Sequence, residues 1–261
     1  MKLHFLGTGA ADWPNPGKKV GEGRRMSSMV VNDSLMIDCG TMTMDAVDEF
    51  NVDVNKLRNV IISHPHGDHF NMNELCAIAA RRDNALPPLS IYVNKKAIER
   101  SPIPSELANR MTLIGFEPGD VFQCDNVKVT TLTANHELEH PGELAAHFYL
   151  EFPEGKTMFY ALDGAWFVPD TWRFLQKHRM DFIVWELTCG NLADWRLWAH
   201  CNLGMVKLMT DAFRLDGSIH DKTVMFCSHL ARTLCPPADL YARELKTNGY
   251  ILANDGLVWE G

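Results

Sequence analysis

Apolar positions recur along this chain in two rhythms. Short apolar or alternating runs closed by Gly, Pro, Asn or Asp read as strands, whereas apolar residues three and four apart over longer windows read as helices. The patterning predicts strands over 2–6, 28–31, 35–37, 59–62, 89–93, 127–133, 145–151, 157–161, 182–185, 223–227, 250–252 and 257–259. It predicts helices over 43–50, 72–82, 94–109, 170–178, 203–214 and 238–247. Asn32-Asp33-Ser34 reads as a hairpin turn, and Gly7-Thr8-Gly9 as a tight turn too short to mark a nucleotide site by itself. Pro87-Pro88 and the Pro102/Pro104 pair read as boundaries or as an interrupted helix, not as domain linkers. Strand-and-helix units at both ends of a strand-rich middle predict an α/β fold, two packed sheets with helices outside, in one domain over 1–261.

One strand ends unlike the others. After Val60-Ile61-Ile62 and Ser63, six positions supply His64, His66, Asp68 and His69. Imidazole nitrogens and a carboxylate oxygen suit zinc, manganese or iron. A rigid turn that aims alternate residues at one centre and their neighbours at a second suggests two metals. Two metals need further ligands, and three other apolar runs end in ligand-type residues: His136, Asp163 and His229. Each has a plainer reading, as a strand-end histidine, a turn aspartate and a core histidine. His140 and His147 lie near His136 but fit less well, one in a loop and one inside an alternating strand. Trp185, Trp195 and Trp198 read as core or cleft wall.

Composition narrows the setting. A chain of 261 residues with 46% hydrophobic content can bury a large core, so a soluble globular protein is expected. No apolar run approaches the roughly 18 residues that span a bilayer, and the opening residues lack a basic-then-apolar leader pattern, so neither membrane insertion nor secretion by that route is expected. Seven cysteines at wide spacings, with no close pair, fit reduced thiols and a cytoplasmic protein. The formal net charge of −8 argues against a broad phosphate-tracking surface, which makes extended nucleic acid a poor partner and a small substrate a better one. Lys18, Lys19, Arg24 and Arg25 stand in a Pro/Gly-rich loop that reads either as an anion-gathering flap or as solvated surface.

The run His64-Pro-His66-Gly-Asp68-His69 is similar to the HxHxDH signature of the metallo-β-lactamase-fold hydrolases. The resemblance implies a four-layer αββα sandwich of two mixed β-sheets and two divalent metal ions, zinc or manganese, with iron admissible. It implies one metal on His64, His66 and His136, the other on Asp68, His69 and His229, and Asp163 bridging them. The segment from Asp181 to Arg232 resembles the phosphodiesterase branch, which includes ribonuclease Z and the phosphoribosyl cyclic phosphate phosphodiesterases. There His200 matches a histidine near the phosphate and Glu186 the carboxylate that orients it; Asn202 departs from the usual Ser or Thr. The implied reaction is attack by a metal-bridging hydroxide on a small or cyclic phosphodiester, with Asp68, His200 and Glu186 as catalytic residues. The chain has no inserted basic arm of the kind that grips transfer RNA, which disfavours 3′-end endonuclease activity. Sister families hydrolyse lactones, esters or thioesters, so these stay open; iron-based oxygen chemistry and a non-enzymatic binding role fit less well. The resemblance also hints at a homodimer.

Overall fold

The computed structural model describes residues 1–15, 19, 21 and 23–261. The chain begins with β1 (Lys2–Gly7), β2 (Ser28–Val31), β3 (Leu35–Cys39), α1 (Thr43–Glu49), β4 (Asn59–Ile61), α2 (Met72–Arg81), β5 (Leu89–Asn94) and β6 (Met111–Phe116). It continues through β7 (Val121–Cys124), β8 (Val127–Thr133), β9 (Ala146–Glu151), β10 (Thr157–Ala161), α3 (Pro169–Leu175) and β11 (Phe182–Glu186). It closes with α4 (Leu203–Asp216), β12 (Val224–Ser228), α5 (Ala238–Thr247), β13 (Ile251–Leu252) and β14 (Val258–Glu260). Contacts group these elements into two units: Met1–Glu117 with Leu138–Glu143 and Asn254–Gly261, and Pro118–Glu137 with Leu144–Ala253.

The first unit is built on a seven-stranded mixed sheet in the order β14-β1-β2-β3-β4-β5-β6. Its β14 to β3 half is antiparallel and its β3 to β6 half parallel. Strands buried on both faces read as unbroken apolar runs, and β2, β3 and β4 are buried throughout. Asn32 and Asp33 turn the β2–β3 hairpin at φ 49° and 61°, left-handed values that Asn and Asp tolerate best after glycine. Ala46 and Val47 of α1 and Leu75, Ile78 and Ala79 of α2 pack with Val60, Ile62, Leu89 and Ile91 in one core.

The second unit repeats the plan with the order β13-β12-β11-β10-β9-β8-β7. Here β7 to β10 are antiparallel and β10 to β13 parallel. Helix α4 starts where the Asn202 side chain accepts from the Met205 amide and ends at Gly217, φ 83°. Its buried face, Leu203, Val206, Met209 and Phe213, joins Phe159, Ile183 and Trp185 in the unit's core. Each such side chain stabilises the unit by about 1.5–3 kcal/mol.

The expected helix over 94–109 is not formed. Two short 3-10 turns, Ala97–Arg100 and Ser105–Leu107, stand there instead. Pro102 and Pro104 lack backbone donors and force the residues before them out of the helical region. Strands β6 and β7 were not expected; each is the edge of its sheet and half solvated, so its apolar pattern is weak. Trp185 is core, but Trp195 and Trp198 are exposed, not core. No described helix is long and apolar enough to cross a membrane.

Candidate functional site

In the first unit, parallel pairing stops at Ile61 and the chain turns through the histidine-rich stretch. The turn is held by His69 and Phe70 amides donating to the His66 carbonyl and by the Cys39 amide donating to the His69 carbonyl. At Gly40 a Cβ would lie 2.1 Å from the Asp68 carbonyl oxygen, so only glycine lets the end of β3 approach this closely. His64, Asp68 and His69 are buried and His66 partly so. His64 Nε2 lies 3.1 Å from His66 Nδ1, and His69 Nε2 lies 3.6 Å from Asp68 Oδ2. The four side chains form two close pairs, His64 with His66 and Asp68 with His69.

Behind them stands Asp38, buried at the end of β3 with φ 57°. Its carboxylate lies 2.8 Å from His69 Nδ1 and accepts from the Ser63 amide and hydroxyl; Ser63 Oγ in turn lies 3.1 Å from His64 Nδ1. Sequence reasoning left Asp38 and Ser63 out. Asp38 carries the signal used for the other ligands, a polar residue ending an apolar strand.

In the second unit, His136, Asp163 and His229 follow β8, β10 and β12, Glu186 is the last residue of β11, and His200 stands shortly before α4. His136 Nε2 lies 3.8 Å from Asp163 Oδ2, and His229 Nδ1 lies 3.2 Å from Asp163 Oδ1. Donor atoms of His136, Asp163 and His200 lie within 4.8 Å of one another, as do those of Glu186, His200 and His229. His200 Nδ1 is 3.1 Å from Glu186 Oε1, whose carboxylate also accepts from the Cys201 and Thr188 amides. Thr188 Oγ1, absent from the sequence reading, lies 2.8 Å from His229 Nδ1 and 3.2 Å from His200 Nδ1. His229 itself sits at φ 55°, in the left-handed region.

These residues fit divalent metal. A ligating histidine usually spends its second ring nitrogen on a carboxylate, carbonyl or hydroxyl, which fixes the tautomer and aims the first. His69 does so on Asp38, His64 on Ser63 and His136 on the Ala199 carbonyl at 3.2 Å. Cys201 is unsuited: burial pushes its thiol well up, and Sγ donates to the Gly164 carbonyl.

The remaining candidates fall outside. His140 is exposed. His147 is fully buried against Phe159 and Phe167, neither ring nitrogen has a hydrogen-bond partner, and burial pushes its pKa down to about 3. Of the basic loop, Lys18 lies outside the described residues. Arg25 is buried on Asp45 and Glu49, and Arg24 is buried and donates to Thr8 and Asn254. Both tie the loop into the first unit.

The family model described as Anti-Pycsar protein Apyc1 matches residues 1–214. Ribonuclease Z of Oceanobacillus iheyensis is 26% identical over 161 residues, 55% of this chain and 52% of that protein. Ribonuclease Z of Streptococcus uberis is 37% identical over 75 residues, 26% of this chain and 22% of that protein. The chain thus spans about half the length, or less, of these curated relatives. Among solved structures, the metallo-β-lactamase fold protein YhfI from Bacillus subtilis matches with TM-score 0.75 at 20% identity, covering 100% of this chain and 99% of that one. A diphosphatase from the PhnP family gives 0.73 at 14%, covering 100% and 97%, and human tRNase Z, short form, gives 0.68 at 18%, covering 100% and 99%. These likenesses establish the metallo-β-lactamase fold.

Proposed function

As the chain belongs to the family of the anti-Pycsar protein Apyc1, we propose that it is a dinuclear metal-dependent phosphodiesterase acting on a small, cyclic phosphodiester. The proposed ligands are His64, His66 and His136 for one metal and Asp68, His69 and His229 for the other, with Asp163 shared. Zinc or manganese suits this His/Asp donor set, and iron is compatible with it. Bound there, two such cations supply a deprotonated water near neutral pH and offset charge on the phosphate oxygens.

The observation that carries the phosphodiesterase reading is the Glu186–His200 pair. Glu186 holds His200 at Nδ1, which orients the ring for Nε2 to protonate the departing oxygen or to stabilise the charge growing on it. Thr188 links the same imidazole to His229, which ties the acid to the metal set. Asp68 orients the attacking water. The seven free cysteines support a reducing compartment such as the cytoplasm, and we extend the reading to a homodimer.

The test is turnover of an aryl phosphodiester beside a matched aryl carboxylic ester, with Asp68→Ala as the blank. Diester cleavage that vanishes in the blank supports the reading; cleavage of the ester alone would replace it with a lactone, ester or thioester hydrolase. His200→Ala should lower kcat on the diester about 10²–10⁴-fold at unchanged metal content. Unchanged turnover in that variant would remove His200 from the mechanism.

A further inference from the structure

Asp255 stands in the turn before β14, beyond the residues 1–214 that the family model matches. Its side chain has no exposed surface. One carboxylate oxygen accepts from both the amide and the hydroxyl of Thr8, at 3.1 and 2.7 Å, and the other accepts from the Arg25 amide at 2.8 Å. The Lys19 ammonium and the Arg25 guanidinium lie 3.6 and 3.7 Å away. A buried carboxylate with three donors and two cations around it fixes the segments that donate to it, here the turn after β1 and the approach to β2.

Those two segments lie against the loops that hold the histidine-rich turn. The Gly9 amide donates to the Arg25 carbonyl, which couples the segments, and the Met26 amide donates to the Thr41 carbonyl. A Cβ on Gly7 would stand 1.8 Å from the Met26 carbonyl oxygen, and one on Gly40 would stand 2.9 Å from the Met26 Cβ as well as close to the Asp68 carbonyl. The chain is thus in close contact from Gly7 through Met26 and Gly40 to Asp68, and a packed interior transmits displacement instead of absorbing it. Thr41 Oγ1 completes the path by donating to the Gly67 carbonyl at 3.1 Å.

We propose that Asp255 is a positioning residue for the metal-binding turn. By fixing Thr8 and Arg25 it sets Met26 against Gly40 and Thr41, and through them the placement of Gly67 and Asp68. The proposal rests on the reading of His64, His66, Asp68 and His69 as metal ligands. Asparagine at this position would keep the shape but lose the charge and turn one acceptor oxygen into an NH2 group facing either the Thr8 or the Arg25 amide, so it loosens this hold specifically.

The test is cobalt(II) binding by the full chain, stripped of metal beforehand and followed by the visible absorption of bound cobalt in competition with a chelator. Asp255→Asn should weaken cobalt binding about 2- to 30-fold and shift the absorption bands, while the metal-free variant keeps the circular dichroism of wild type. Thr41→Val, which removes the Thr41–Gly67 bond at the far end of the path, should act in the same direction, and the double variant should lose less than the sum of the two. Thr8→Val, a milder change, serves if Asp255→Asn does not fold, and it too should weaken binding. Unchanged affinity and bands in the folded variants, or strictly additive losses, would overturn the proposal and leave Asp255 a stabiliser of the first unit alone. A wild type that binds no cobalt would instead overturn the ligand reading, and the positioning role with it.

Discussion

At the scale of single residues, the candidate site is held by groups outside the proposed ligand set. Asp38 is the clearest case, because one carboxylate orients His69 and, through Ser63, His64. Asp38→Asn keeps the shape and tolerates the left-handed backbone but weakens the charge-assisted hold on the imidazole. Metal affinity measured by competition with a chelator should fall about 10- to 100-fold while the fold persists. His147 is the opposite case, a histidine with no role in the ligand set. Burial lowers its folded pKa to about 3, against 6.5 for the ordinary group, so between those values the unfolded chain binds the extra proton. Its neutral burial is therefore fully tolerated above pH 6.5 and becomes costly as pH falls toward 3. Between pH 7.5 and pH 5 the metal-free wild type should lose about 2 kcal/mol more stability than His147→Phe in urea titrations.

At the scale of elements, two departures from expectation have definite causes. The lost helix over 94–109 is a matter of local chemistry: two prolines within three positions outweigh the helix-forming residues around them. Strands β6 and β7 were missed because an edge strand has one partner and a solvated face, so its sequence lacks the unbroken apolar run that marked β3 and β4. Asn202 shows a replaced motif residue keeping its work. The resemblance had a Ser or Thr in its place, and Asn202 caps α4 through the Met205 amide as those residues would. Asn202→Ser should change stability by a few tenths of a kcal/mol at most, whereas Asn202→Ala should cost about 1 kcal/mol in thermal or denaturant unfolding. Since α4 follows directly on His200, the alanine variant should also raise KM for the diester.

At the scale of the molecule, each of the two units has its own seven-stranded sheet and apolar core; of the proposed ligands the first carries His64, His66, Asp68 and His69, and the second His136, Asp163 and His229. Ligands bound to the native chain and not to the unfolded one add stability by mass action. Chelation should therefore lower the unfolding temperature, and restoring zinc or manganese at a hundredfold excess over Kd should return about 2.7 kcal/mol for each metal bound. A chain that unfolds identically with and without metal would count against a structural dinuclear centre.

Sequence by itself determined the fold family and pointed to the residue types of the proposed site, since HxHxDH compresses four ligand-type side chains into one turn and the later His136, Asp163 and His229 each end an apolar run. Those are local patterns, and local patterns survive in a linear string. What tertiary structure decided was every relation between distant positions: Asp38 behind His69, Thr188 between His200 and His229, and the burial of Arg24 and Arg25. The exposure of Trp195 and Trp198 belongs with them. In a string of letters these indoles read as core or cleft wall, and only the packing of the turn that carries them determines which face meets water.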